Sequence, residues 1–244
     1  MKIQKRVLAV AIGSIAAIAV ACILGNAYKG RSKPERRIVV QGMAEKNFSA
    51  DLIVWNGYFS KQNMDMKVAF KQLKSDEELV RKYLIDQGIS EKEIVFSSVD
   101  ISKEYNSYYS DGHYVQVFEG FRLIQNIKIT SNDLTKVENV SRGVSSLIDS
   151  GVEFISESPN FYYTKLADLK LELIQEATKD GRQRAEKIAQ NANSKLGKLQ
   201  TAELGVFQIT GQNSNEDYSW GGTYNTKSKD KTANITVKLK FEPR

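Results

Sequence analysis

The order of apolar periods between Ala50 and Ser158 limits this chain more than any other feature of its sequence. From Met64 to Gln87, residues Met66, Phe70, Leu73, Leu79, Val80, Tyr83 and Leu84 recur at helical spacing, and Gly88 follows where a C-cap glycine belongs. Before that helix, ADLIVWNGYFSKQ alternates loosely through Leu52, Val54 and Phe59, as a strand that Gly57 invites to bulge. After it, EIVFSSVDISKEY and HYVQVFEGFRLIQNIKIT read as a hairpin whose turn residues lie in NSYYSDG. Asn132 or Asp133 can cap a second helix running to Ser150, with Leu134, Val137, Val140, Val144, Leu147 and Ile148 on one face and Gly151 as its stop. VEFISESP is a further strand. Strand, helix, strand, strand, helix, strand is the split, ferredoxin-like order, so the predicted class is α+β with a mainly antiparallel sheet.

Further elements flank this unit. IVVQGMA opens the folded region as a strand, and a long third helix is expected from about Thr164 to Leu196, ended by Gly197. KLQTAELGVFQI, a polar loop from Gly211 to Lys231 and a last alternating strand, TANITVKLKFE, complete the chain. On the third helix Leu166, Leu169, Leu173, Ala177, Gly181, Ala185, Ile188, Ala192 and Leu196 share one face. Ala177, Gly181 and Ala185 at its middle admit a close backbone, either a sheet of the same chain or the same helix of a second copy. Asp168, Glu172, Glu176 and Asp180 form an acidic row at i,i+4 spacing, read as a solvated face, with a basic partner surface lying against it as the alternative.

The N-terminal run Val7 to Leu24 holds no charged residue and is preceded by Lys2, Lys5 and Arg6. A membrane-spanning helix with its N-terminus on the cytoplasmic side has this pattern. Residues 1–28 are therefore expected to be a signal anchor, 29–36 a linker and 37–243 an exported folded domain held at the inner membrane and facing the periplasm. Cleavage after Ala21 or Ala27 to a soluble periplasmic form, and lipidation at Cys22, are the alternatives. Cys22 is the only cysteine, so the exported part has no internal disulfide or cysteine metal site. The net charge of +6 includes the three N-terminal cations, and the small remainder argues against a nucleic-acid partner.

Catalytic signals are weak. His113 is the only histidine and follows YYSDG, where an exposed turn residue is expected; no nucleophile elbow or nucleotide-binding loop accompanies it, and no cofactor is expected. Asp51, Asp100, Glu104 and Asp111 fall in strands and turns with no spacing that demands a shared cleft, and Asp51 is suited to holding its own turn. Three aromatic clusters fall near predicted loops: Tyr105, Tyr108 and Tyr109; Phe161, Tyr162 and Tyr163; Tyr218, Trp220 and Tyr224. Tyr108, Tyr109, Tyr162, Tyr163 and Trp220 are the candidates for contact with a partner, since exposed aromatics mark interfaces.

In order and spacing these pieces resemble the SIMPL domain family. The resemblance rests on IVVQGMAEKNFSADLIV, LIDQGISEKEIVFSSVDISKEY, FRLIQNIKITSNDLTKVENVSRGVSSLIDSGVEFIS, EATKDGRQRAEKIAQNANSKLGKL and ITVKLKFEP, and covers about Arg37 to Pro243. Ala50 stands where the family often has proline, and NFYYTK is unusually aromatic. The resemblance implies an exported envelope protein, in several bacterial members linked with stress resistance, in some assembled into large oligomers, and it carries over no catalytic residue. The expected function is non-enzymatic: self-association as a homo-oligomer, or binding of an envelope partner, by a membrane-tethered protein. A carbohydrate- or peptidoglycan-binding module and an envelope hydrolase are the alternatives.

Overall fold

A computed structural model of the chain describes residues 13–25, 37–110 and 112–244. Residues 13–25 form a helix, α1, exposed along its whole length. The first half of the expected anchor, with its flanking cations, lies outside the described residues, as does the linker. Among the described residues no helix is long and apolar enough to cross a membrane.

The remaining chain folds as β1 (Ile38–Ser49), β2 (Leu52–Asn63), α2 (Met66–Asp86), β3 (Ile94–Ser110), β4 (His113–Ser131), α3 (Leu134–Gly143), β5 (Phe154–Ser156), β6 (Asn160–Tyr162), α4 (Leu166–Asn191), β7 (Leu196–Leu204), β8 (Gln208–Gly211), β9 (Thr223–Tyr224) and β10 (Asp230–Pro243). The class is α+β with mainly antiparallel sheets. One sheet has the order β3-β4-β2-β5, with β6 following β5 along β2. Taken with α2 and α3, that is the ferredoxin-like arrangement. The second sheet has the order β1-β10-β8-β9, with β7 beside β8 along the same edge of β10.

Local chemistry explains most element ends. Asp65 caps α2 by accepting from the Lys67 and Val68 amides at 2.7 and 3.4 Å, and Gly88 (φ +82°) turns the chain out of it. The face of α2 that reaches the core is Ala69, Leu73, Asp76, Val80 and Leu84. Met66 and Phe70 sit on its flank, 42% and 44% exposed. Asp133 caps α3, which tightens into a 3-10 turn over Val144–Ser150 before Gly151 (φ +78°).

Three expectations are corrected here. In β2 the core-facing set is Ile53, Trp55 and Phe59, so Leu52 and Val54 point the other way. Gly57 does not bulge. Its register with Ile127 is unbroken, and the missing side chain makes room for Phe154, whose ring carbon would lie 2.4 Å from an added Cβ. The third helix stops at Asn191 rather than Leu196, because Asn193 takes a left-handed conformation (φ 53°) and Lys195 and Arg244 exchange backbone hydrogen bonds of 2.8 and 2.7 Å. That pairing starts β7, so Leu196 and Gly197 belong to a strand and do not cap the helix.

Each sheet has its own core. The first buries Trp55, Phe59, Leu73, Leu84, Leu123 and Ile127 beneath α2 and α3. The second buries Leu169, Leu173, Ala177 and Ala185 of α4 against Ile235, Val237 and Leu239 of β10 and Val40 and Ala44 of β1. Gly42 and Gly181 meet at the centre: a Cβ on Gly42 would lie 2.0 Å from the Ala177 carbonyl oxygen. The small-residue stripe of α4 is therefore spent on the sheet of its own chain, and that face is closed to a second copy. The acidic row on the same helix meets Lys46 of β1, which pairs with Glu172 at 2.5 Å and is held above its ordinary pKa chiefly by that contact. Asp180 accepts from the Met43 amide at 2.9 Å, which is the main reason its carboxyl sits below the usual range, with Arg184 adding to it.

The two layers are joined at the β1–β2 corner. Ala50 donates to the Lys229 carbonyl at 2.9 Å, and Phe161 to that of Thr226 at 2.7 Å. Asp51 accepts both the amide and the hydroxyl of Thr164 at 2.7 Å. Its partner thus lies far along the chain and not in its own turn.

Candidate functional site

The chemistry-bearing residues expected from sequence do not converge. His113 begins β4 opposite Ser110 and is exposed. Asp100 is exposed on β3, in a shallow groove with Tyr58, Arg122, Ile124 and Asn126, and Glu104 accepts from the Ser102 hydroxyl at 2.9 Å. Asp111 lies outside the described residues. Among the described residues there is no group of His, Cys, Asp and Glu placed to hold a metal ion.

The aromatic clusters separate into three fates. Tyr162 and Tyr163 are half-buried: Tyr163 packs on Phe48 with ring centres 4.8 Å apart, and Tyr162 lies 6.5 Å from Tyr224. Both help to bind the two layers together.

Tyr108 and Tyr109 are not in a turn, as sequence suggested, but in strand with Tyr105. β3 and β4 pair as far as Ser110 and His113, whereas β2 leaves the sheet at Asn63, opposite Phe121. Beyond that point the two strands form an unsupported ribbon about 20 Å long at the usual strand rise. Gly120 sets its direction. With φ at +115° and a built Cβ only 2.6 Å from the Asn63 carbonyl oxygen, no other residue fits, and the register shifts there. One face of the ribbon is aromatic. Phe121 touches Phe118 edge-on at 5.2 Å, Phe118 meets Tyr105 at 5.6 Å, and Tyr109 and Tyr114 pair near the tip at 5.7 Å. Tyr109 and Tyr114 are 77% and 59% exposed. At the base of the ribbon an apolar crevice of about 200 Å³ opens among Met66, Phe70, Ile101 and Leu123. The alternation over Tyr105–Tyr109 and Tyr114–Phe118 is the sequence signal for this arm, hidden by the turn-forming Asn, Ser and Gly around it.

Trp220 has the third fate. It stands fully exposed on the loop between β8 and β9, beside a groove of about 410 Å³ lined by Gln208, Tyr218, Ser219, Asn234 and Thr236. This polar loop is firmly pinned. The Gln208 carboxamide accepts from the Ser219 and Thr223 amides at 3.2 and 2.9 Å and donates to the Ser219 carbonyl at 2.7 Å.

A second pin is Lys231, wholly buried, whose ammonium donates to the Asn225 carbonyl at 2.5 Å and to its side-chain oxygen at 3.3 Å. Glu216 accepts from both Gly211 and the Asn225 carboxamide. Burial pushes the Lys231 pKa down to about 8, with Glu216 opposing the shift.

The unfolded chain holds that proton to a higher pH than the folded chain does. Folding stability therefore rises with pH between about 8 and the ordinary lysine value, and below 8 the full cost of burying the charge is present. In urea titrations, wild type should gain up to about 2 kcal/mol relative to Lys231→Met between pH 7.5 and 9.5. Parallel pH dependences in the two proteins would show that Lys231 keeps an ordinary affinity for its proton.

No curated protein matches the chain. A family model, described as SIMPL, Protein of unknown function (DUF541), matches residues 38–242. That span takes in both sheets with the helices packed on them, the aromatic arm and the pinned loop, and the chain belongs to the SIMPL family.

Proposed function

We propose that this protein is a non-enzymatic module of the cell envelope that works by associating with copies of itself, tethered to the inner membrane by its N-terminal helix with the folded domain in the periplasm. The observation that carries this reading is the β3–β4 arm. A two-stranded ribbon is marginal in water by itself. Here it leaves the sheet with Tyr105, Tyr108, Tyr109, Tyr114 and Val117 at least 45% exposed, more apolar and aromatic surface than solvent favours. Insertion of the aromatic tip into the Met66–Phe70–Ile101 crevice of a neighbour would bury both surfaces in one head-to-tail contact. Repetition of a head-to-tail contact generates a ring when the rotation closes. The tether is supported by the uncharged run Val7–Leu24 and by α1, in which every residue is exposed. Binding of a different envelope protein through the same arm is the second reading.

Both cores lie between Val40 and Phe241, so residues 29–244 should fold without the N-terminal segment. Light scattering on a size-exclusion column should give a discrete oligomer for that protein. Replacing Tyr105, Tyr109 and Tyr114 together by Ser should give a monomer with an unchanged circular dichroism spectrum. A wild type that stays monomeric over a wide concentration range would remove self-association and leave the arm to another partner.

A further inference from the structure

We infer that the groove beside Trp220 is a binding site for a neutral oligosaccharide. Three features of the groove point to that chemistry. Trp220 presents its whole indole to solvent with nothing covering it, and Gln208 fastens the loop backbone beside it to the sheet. An amphipathic aromatic surface of this kind stacks on the C–H face of a sugar ring. Next to it, Asn234 on the outward face of β10 is only 7% exposed and lines the groove, which places a carboxamide at its wall. A carboxamide at the groove wall can both donate to and accept from a ligand hydroxyl or amide. Thr236, two residues along the same face, adds a hydroxyl.

The groove also discriminates against other ligands. No charged side chain is among its lining residues, so neither an anion nor a cation finds a counter-charge there. Its floor is the face of the β8–β10 pair, where side chains and not backbone groups are offered, so an extended peptide has no ladder to join. About 410 Å³ lies within the range of small-molecule sites. Alternating hydroxyls and C–H faces match an aromatic plane set beside neutral amide and hydroxyl groups.

The test uses the full chain in mild detergent, titrated calorimetrically with a tetramer of N-acetylglucosamine and, separately, a tetramer of glucose. At least one tetramer should bind, with a blue shift of the Trp220 emission; the other tryptophan, Trp55, is buried and should not respond. Trp220→Ala and Asn234→Ala should each weaken binding about tenfold or more. Asn234→Ala should do so without lowering the melting temperature, which separates lost recognition from lost folding. Tyr109→Ser on the arm should bind the sugar as wild type does, whatever its effect on oligomer size, which separates this site from the self-association surface. Absence of binding by both tetramers up to about 10 mM would overturn the inference. So would binding that survives both groove substitutions, or recognition of an extended neutral peptide in preference to either sugar.

Discussion

Gly42→Ala should be among the most damaging single-methyl changes available in this chain. The added carbon would lie 2.0 Å from the Ala177 carbonyl oxygen and 2.6 Å from the Gly181 nitrogen, both backbone atoms of α4. No rotamer change relieves such a contact, so the helix must lift from β1 and β10 and open the core around Leu173 and Leu239. The expected loss is at or above the upper end of ordinary overpacking, about 3 kcal/mol. Gly181→Ala, on the other side of the same contact, should cost less. Its Cβ would first meet the Leu239 Cδ1 at 2.8 Å, the free end of a side chain, with Gly42 backbone at 3.2 and 3.3 Å, and alanine recovers about 1 kcal/mol of helix propensity. Thermal unfolding of the two variants gives the comparison. Equal or reversed losses would mean that the helix–sheet spacing yields more easily than this geometry allows.

Lys61→Met should be comparably destabilising, with a pH dependence that identifies the cause. Lys61 of β2 reaches beneath α2 to the Asp76 carboxylate at 3.0 Å and donates to the Gly151 carbonyl at 3.0 Å. Asp76 is 6% exposed; burial raises its pKa, and Lys61 is what opposes the rise. Removing the cation leaves a buried carboxylate unpaired, at about 3 kcal/mol near neutral pH. The folded pKa of Asp76 then climbs further above its unfolded value of 3.8, so stability is lost as pH rises through that interval and regained on acidification. Urea titrations at pH 7.5 and 4.5 should show a smaller deficit at the lower pH, and Asp76→Asn added to the variant should restore much of the loss. A deficit that is the same at both pH values and insensitive to the second change would assign the damage to packing alone.

The ferredoxin-like order was legible in the sequence because helix and strand periods are local. Leu73, Val80 and Leu84 recur at helical spacing whatever surrounds them, and Asp133, Gly88 and Gly151 mark ends through hydrogen bonds and backbone angles within a few residues. The stripe Ala177–Gly181–Ala185 was equally visible as a face meant for close approach. What lay across from it was not, because Gly42 is more than a hundred residues away and nothing local names it.

The failures have the same origin. Gly197 looked like a helix stop, yet pairing of Lys195 with Arg244 at the far end of the chain takes Leu196 into a strand. Tyr108 and Tyr109 looked like part of a turn because Asn, Ser and Gly cluster there, while their cross-strand partners Val115 and Tyr114 hold them extended. The groove beside Trp220 could not be read at all: Asn234 faces outward from β10, and the loop that carries the indole is folded down by Lys231 of that same strand and by Gln208 of β8. Sequence by itself determined the order of the main elements, the caps at Gly88, Asp133 and Gly151, and the family, since those depend on neighbours within a turn or a pleat. Only the tertiary structure decided which aromatic residues are packed, which form an exposed arm and which border a groove, since exposure depends on which distant strand lies alongside.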